Sequence, residues 1–157
     1  MKYHLAQINI ARFKAPLEDN RMKEFVDFLE PVNRFAEESE GFVWRLKDDD
    51  GRAASYIENP FDDEELLAIN MSVWTDVENF KKFVYQSAHS YFLKNQKKWF
   101  TPIERPRFAM WWVPVGHMPT MTEGKAKLDH IEKHGNTQHA FTFQQFFDAH
   151  GNAINSK

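Results

Sequence analysis

The stretch Leu66–Trp74 (LLAINMSVW), followed by Thr75–Glu78 (TDVE), contains the strongest fold signal in the chain. Apolar side chains recur at every second position from Leu67 to Val73, and a period of two predicts a strand. The tetrad after it has the spacing of a capping box, in which a hydroxyl and a carboxylate bind each other's backbone amides, so we expect a helix to begin at Thr75. Phe80 and Phe83 mark the inner face of that helix.

Further elements are predicted on both sides of this stretch. Residues 5–10 (LAQINI) alternate, with Leu5, Gln7 and Asn9 on one face, and form a first strand. The remaining predictions are a helix over Met22–Val32 that bends or restarts at Pro31, strands at Phe42–Leu46 and Phe108–Val113, a helix from the capping box Thr120–Glu123 to Gly135, and a last strand at Ala140–Phe143.

The predicted order is strand, helix, strand, strand, helix, strand, followed by an extra helix and strand. The first six elements match the ferredoxin-like βαββαβ unit, an α+β fold. We expect one domain over residues 1–147 and a flexible tail over residues 148–157, which are small and polar.

A ferredoxin-like sheet covers only one of its faces with its two helices. If the other face carries Leu67, Ile69, Met71 and Val73, it is too apolar to meet water in a monomer. We therefore predict a homodimer in which two sheets pack face to face as a dimeric α/β barrel.

Composition excludes several classes of function. The chain of 157 residues has no cysteine, which removes disulfides, thiolate nucleophiles and cysteine-ligated metal sites. The net charge of -3 and the lack of an RNA-recognition aromatic string argue against a nucleic-acid partner. Apolar runs are too short for a membrane span or a secretory signal, so we expect a cytoplasmic protein without a membrane partner.

Several motifs resemble those of dimeric α/β-barrel proteins, a superfamily that includes antibiotic-biosynthesis and haem-degrading monooxygenases. They are Ser72–Trp74, Phe80 and Ser87–His89, together with Glu40–Trp44 at the entry to the second strand. The whole chain is more similar to a bacterial family of unknown function within that superfamily. That similarity includes the segments Trp111–Thr120 and His134–Phe143.

The resemblance implies a cofactor-independent monooxygenase that acts on a small aromatic or enolisable substrate. It implies catalytic roles for Asn70, His89 and Asn9, since a fixed amide stabilises a developing phenolate and an imidazole acts as a base. It also places Trp74 with Asn70 in a substrate pocket. Our candidates for the rest of the lining are Ser72 on the same strand face, Phe83 on the following helix, and the aromatic residues Trp44 and Trp112.

Other interpretations of the same residues stay open. Asn70 is equally suited to a structural hydrogen bond, and the aromatic residues to a plain core. The protein is then a barrel that binds a small molecule without turning it over. Haem is a further candidate ligand through His89, although haem-degrading relatives have a tryptophan where this chain has Phe83.

The sequence assigns no function to four further histidines. His130 and His134 lie four residues apart with His139 nearby, a spacing that suits a metal, but histidine is also favoured at a helix C-terminus by the helix dipole. We predict no metal site. His117 belongs to the segment shared with the family of unknown function, and the sequence shows no partner for it.

Overall fold

The first strand occupies the centre of a five-stranded antiparallel sheet in a computed structural model that describes residues 2–47, 67–86 and 94–154. The main elements are β1 (Tyr3–Phe13), α1 (Lys23–Glu37), β2 (Phe42–Arg45), β3 (Leu67–Trp74), α2 (Val77–Tyr85), β4 (Phe100–Thr101), β5 (Phe108–Pro114), α3 (Met121–His134), β6 (Phe146–Phe147) and β7 (Ala153–Ile154). A short 3-10 turn precedes α1, and residues 94–99 are helical.

β1 pairs with β3 along one edge and with β5 and β4 along the other, so the order is that of a ferredoxin-like sheet. The register puts Leu5 opposite Trp74 and Asn9 opposite Asn70. On the other side, Asn9 lies opposite Phe108 of β5. The α+β prediction is confirmed, and this register determines which polar side chains meet on the sheet.

The sheet has two covered faces. On the α1/α2 face, Leu5 and Trp74 pack with Ala36 of α1 and with Phe80 of α2. On the opposite, α3 face, alternate residues of β1, β3 and β5 pack against Leu128 of α3. One apolar cluster thus forms on each side of the central strand, and the α1/α2 face carries a second cluster at the far end of β1.

The α3 face is the one for which we predicted a partner subunit. Its residues Leu67, Ile69, Met71 and Val73 are all buried within the single chain. The expectation that this face is bare was wrong, because the extra C-terminal helix covers it. The predicted homodimer therefore loses the argument that supported it and stays untested.

Two helix starts were predicted from capping boxes, and one of them is displaced. The cap of α2 is Asp76 rather than Thr75, since the Asp76 Oδ1 accepts the Asn79 amide at 2.8 Å. The cap of α3 is Thr120, as predicted, and its Oγ1 accepts the Glu123 amide at 3.1 Å. Gly135 ends α3 at a φ of 73°, a conformation that favours glycine.

Two further predictions differ from the structure. α1 does not restart at Pro31 but runs through it as one helix. The predicted last strand, Ala140–Phe143, is reduced to two isolated bridges, of which one joins Phe141 to Met110. Further along the chain, β7 pairs with β6, and the flexibility of residues 148–157 stays a prediction.

Candidate functional site

Five uncharged side chains form a hydrogen-bonded group on the α1/α2 face, here named the polar cluster: Gln7, Asn9, Asn70, Ser72 and Trp74. They come from two neighbouring strands whose register places Gln7 opposite Ser72 and Asn9 opposite Asn70. Because alternate strand residues share a face, all five point to the same side of the sheet.

Gln7 is the centre of the polar cluster and is only 1% exposed. Its Nε2 donates to Asn70 Oδ1 at 2.8 Å and to Ser72 Oγ at 2.7 Å. The Trp74 Nε1 donates to the same Ser72 oxygen at 2.8 Å. These bonds satisfy the buried groups internally, as a buried polar network requires.

The outer end of the polar cluster consists of the two asparagines, both exposed. The Asn9 Nδ2 donates to Gln7 Oε1 at 3.0 Å and to Asn70 Oδ1 at 3.2 Å. Within the described parts of the chain, two atoms then carry no hydrogen bond: the Asn70 Nδ2, a donor, and the Asn9 Oδ1, an acceptor. The polar cluster therefore presents one donor and one acceptor side by side at the surface.

Aromatic clusters lie on either side of this pair along β1. Leu5 belongs to the cluster that contains Trp74, while Phe13 belongs to the one that contains Phe25 and Trp99. Gln7 and Asn9 lie between them on the same face, and the small Ala11 follows. Along β1, the donor–acceptor pair thus lies between two apolar clusters.

The structure brings together four of the predicted site residues, Asn9, Asn70, Ser72 and Trp74. Phe83 of α2 joins them, because its ring stacks on Trp74 with centroids 5.1 Å apart. These contacts place the five side chains on one face of the sheet, and their assignment to a site stays a prediction.

Three predicted residues are placed differently. Trp44 packs against the α3-face cluster, on the opposite side of the sheet, so its assignment to this pocket was wrong. Trp112 lies on the α1/α2 face, like the polar cluster. Its Nε1 donates to the Phe147 carbonyl oxygen at 2.8 Å, and this bond ties Trp112 to the C-terminal segment. His89 lies outside the described residues.

Gln7 is the member of the polar cluster that sequence reasoning missed. A signal was available, since Gln7 stands between Leu5 and Asn9 on one face of a strand whose other face is apolar from Ala6 to Ile10. A long amide on the covered face of a central strand needs a partner, and that need predicts a polar neighbour on the adjacent strand.

A second group of polar residues lies at the start of α3. Glu123 accepts from Trp111 Nε1 at 2.8 Å through one carboxylate oxygen, and the other lies 2.7 Å from His117 Nε2. His117 therefore has a partner that the sequence did not reveal. Because Trp111 is only 2% exposed, this carboxylate ties α3 to the sheet.

The three histidines near the end of α3 do lie together. The ring centroids of His130 and His134 are 4.8 Å apart, and those of His130 and His139 are 5.9 Å apart. Burial and the neighbouring His134, His139 and Lys127 charges lower the pKa of His130 from its ordinary value. No group of three or more potential ligands with the geometry of a metal site occurs within the described ranges.

One depression of the surface does not coincide with the polar cluster. It is a groove of about 340 Å³ between the end of α1 and α2. Its lining residues are Phe35, Glu38, Ser39, Glu40, Asn79, Lys82, Phe83 and Gln86. Phe83 separates this groove from Trp74, so the groove and the polar cluster are distinct places.

The fold and this site define an α+β protein with a ferredoxin-like sheet and an uncharged polar site between aromatic clusters. The chain belongs to the family described as Domain of unknown function (DUF3291), whose model matches residues 4–157. The prediction that it belongs to a family of unknown function is thereby confirmed.

Comparison with solved structures gives matches at low sequence identity. A protein of unknown function, NE2512 from Nitrosomonas europaea, is 12% identical with a TM-score of 0.48, over 75% of this chain and 96% of that one. SnoaB, a cofactor-independent oxygenase from Streptomyces nogalater, is 14% identical with a TM-score of 0.44, over 73% and 95%.

No curated protein matches the sequence significantly. Among the described residues, no helix has the length and apolar character that crossing a bilayer requires.

Proposed function

We propose that the protein binds a small aromatic, enolisable molecule at the polar cluster and promotes its oxidation by O₂ without a metal or organic cofactor. The observation that carries this proposal is the exposed pair formed by Asn70 Nδ2 and Asn9 Oδ1, one donor and one acceptor between two aromatic clusters. An enol or phenol needs both, because its oxygen accepts one hydrogen bond and its hydroxyl donates another.

The same pair suits the chemical change that would follow. When an enol loses its proton, negative charge develops on its oxygen, and the Asn70 N–H is placed to stabilise that charge. The bonds from Gln7 and Asn9 to Asn70 Oδ1 hold the amide in one orientation, so little reorganisation is needed. The enolate then transfers electrons to O₂, and His89 is our proposed acceptor of the substrate proton.

Anthrone is a suitable probe because it is aromatic, enolisable and uncharged. Its oxidation consumes one O₂ per molecule, places one oxygen atom in the anthraquinone carbonyl and releases the other as water. We expect the protein to accelerate O₂ uptake and quinone formation above the spontaneous rate. The acceleration should persist in the presence of a chelator.

Two variants test the assignment of residues. Asn70→Ala removes the exposed donor and should reduce the catalysed rate by about 10²-fold or more, as loss of one oxyanion donor does elsewhere. Asn20→Ala is a matched control at an exposed position just before α1, outside the polar cluster, and should retain the rate. Equal rates for Asn70→Ala and the unmodified protein would remove the proposed role.

Binding without turnover is a second candidate function. The observation that favours it is that all five members of the polar cluster are uncharged, so none of them serves as an acid or a base near pH 7. Under this alternative, anthrone is recovered unchanged after incubation, and mass spectrometry of the extracted ligand separates the two functions. Haem binding, which the resemblance also implies, is tested by a saturable Soret shift on titration with hemin.

A further inference from the structure

The C-terminal strap, defined here as residues 135–147, links the end of α3 to the aromatic cluster of the α1/α2 face. Phe141 exchanges two backbone hydrogen bonds with Met110 of β5, at 2.7 and 2.9 Å. Phe143 stacks on Phe108 with ring centroids 5.2 Å apart. The strap therefore supports the aromatic wall beside Asn9, because Phe108 is the register partner of Asn9.

One threonine anchors the start of the strap to α3. The Thr137 Oγ1 lies 2.7 Å from His130 Nε2 and also accepts the His139 amide at 3.1 Å. Thr137 in turn forms a backbone bridge with Ala140, the residue before Phe141. The position of Phe141 thus depends on a short chain of contacts that begins at an imidazole.

The electrostatic surroundings of His130 are unfavourable to a positive charge. The groups that act on it are His134 and Lys127 on its own helix and His139 on the strap. Lys127 is a cation at neutral pH, and the ring centroids of His134 and His139 lie 4.8 and 5.9 Å from that of His130. Protonation of His130 therefore places a second positive charge beside Lys127 at the junction between α3 and the strap.

We propose that this histidine group is a pH-sensitive latch, which holds the C-terminal strap on α3 at neutral pH and releases it in mild acid. A positive charge on His130 is disfavoured by burial and by Lys127, so release of the strap, which exposes the imidazole to water, becomes easier, and the Phe141 pairing with Met110 loosens with it. This proposal does not depend on whether the polar cluster binds a ligand or oxidises it.

The direction of the pH effect follows from the lowered pKa of His130. Its folded-state value lies below its ordinary value of 6.5, so the unfolded or released state binds more protons in that range. The stabilising contribution is fully present above pH 6.5 and is lost as the pH falls below it.

Hydrogen exchange at the Phe141 amide tests the latch. After correction for the intrinsic exchange rate, we expect its protection factor to fall by roughly twofold or more between pH 7.5 and pH 5.5. The double variant His134→Gln, His139→Gln removes two exposed side chains that help to lower the pKa of His130, so it should fold and should show a smaller fall. His150→Gln, whose ring contacts Tyr3 outside the strap, is the control and should respond like the unmodified protein.

Two results would overturn the proposal. The first is a protection factor at Phe141 that does not change between the two pH values. The second is a fall of the same size in the double variant, which would show that another group is responsible. Circular dichroism at both pH values confirms that each variant is folded.

Discussion

Replacing Ser72 with alanine should destabilise the protein, because it removes the acceptor that serves Trp74. The Trp74 side chain is 0% exposed, and within the described residues the Ser72 Oγ is the sole acceptor of its Nε1–H. The Gln7 Nε2 keeps Asn70 as the acceptor for one of its two N–H groups, so its second N–H and the Trp74 Nε1–H both lose their partner. That costs about 1–3 kcal/mol in the free energy of unfolding.

Urea unfolding followed by circular dichroism measures this difference, and thermal unfolding provides a second readout. A loss of about 1–3 kcal/mol corresponds to a fall of roughly 2–12 °C in Tm for a domain of this size. Ser39→Ala is the matched control, since its hydroxyl donates to the Phe35 carbonyl at a half-exposed helix end where water can replace it. Its effect should stay within about 0.5 kcal/mol. Equal stabilities for the two variants would refute the argument that Ser72 satisfies a buried group.

Three further predictions concern α3. Gly124→Val should lower the free energy of unfolding by about 1–3 kcal/mol, because a Cβ at this position would lie 2.6 Å from the Ile8 Cδ1; a stability equal to that of the unmodified protein would contradict the packing. Glu123→Ala should cost about 1–3 kcal/mol by leaving the buried Trp111 Nε1 without an acceptor, while Glu123→Gln should cost less in the same unfolding assay. Light scattering should give the monomer mass of 18.6 kDa, since α3 already covers the apolar sheet face, and a dimer mass would show that another surface or an exchanged helix joins two copies.

The central sheet was predictable from the sequence because its signals are local. The alternation in residues 5–10 and in Leu66–Trp74 determines which side chains share a face, and a period of two leaves no other assignment. The same alternation places Asn70, Ser72 and Trp74 on one face of the strand. Pairing between strands is not a local property, so the meeting of Gln7 with Ser72 became apparent only in the register.

The coverage of the α3 face could not be predicted in the same way. Gly124 is a poor helix former and gives no packing signal in the sequence, yet its missing side chain lets α3 approach Ile8 and Met71 closely. Whether an apolar face is covered by a helix of the same chain or by a second copy depends on where a connecting segment returns. Amino-acid composition is the same in both cases, which is why the dimer argument failed.

Trp44 shows a related limit of prediction from the sequence. Its aromatic character suited a pocket, but β2 has a register irregularity between Phe42 and Trp44, and Trp44 lies opposite Val73, which belongs to the α3 face. A shift of one residue moves a side chain to the other side of a sheet. Irregularities of this kind leave no mark in the hydrophobic pattern.

The central claim is that the Asn70 Nδ2 and Asn9 Oδ1 atoms form a donor–acceptor pair for an uncharged aromatic ligand. Calorimetric titration with 1-naphthol and with 1-methoxynaphthalene tests it directly, since both accept a hydrogen bond and only the first donates one. We expect 1-naphthol to bind about threefold to tenfold more tightly, the equivalent of one hydrogen bond, and we expect Asn9→Ala to abolish that preference. Equal affinity of the unmodified protein for the two ligands would contradict the claim.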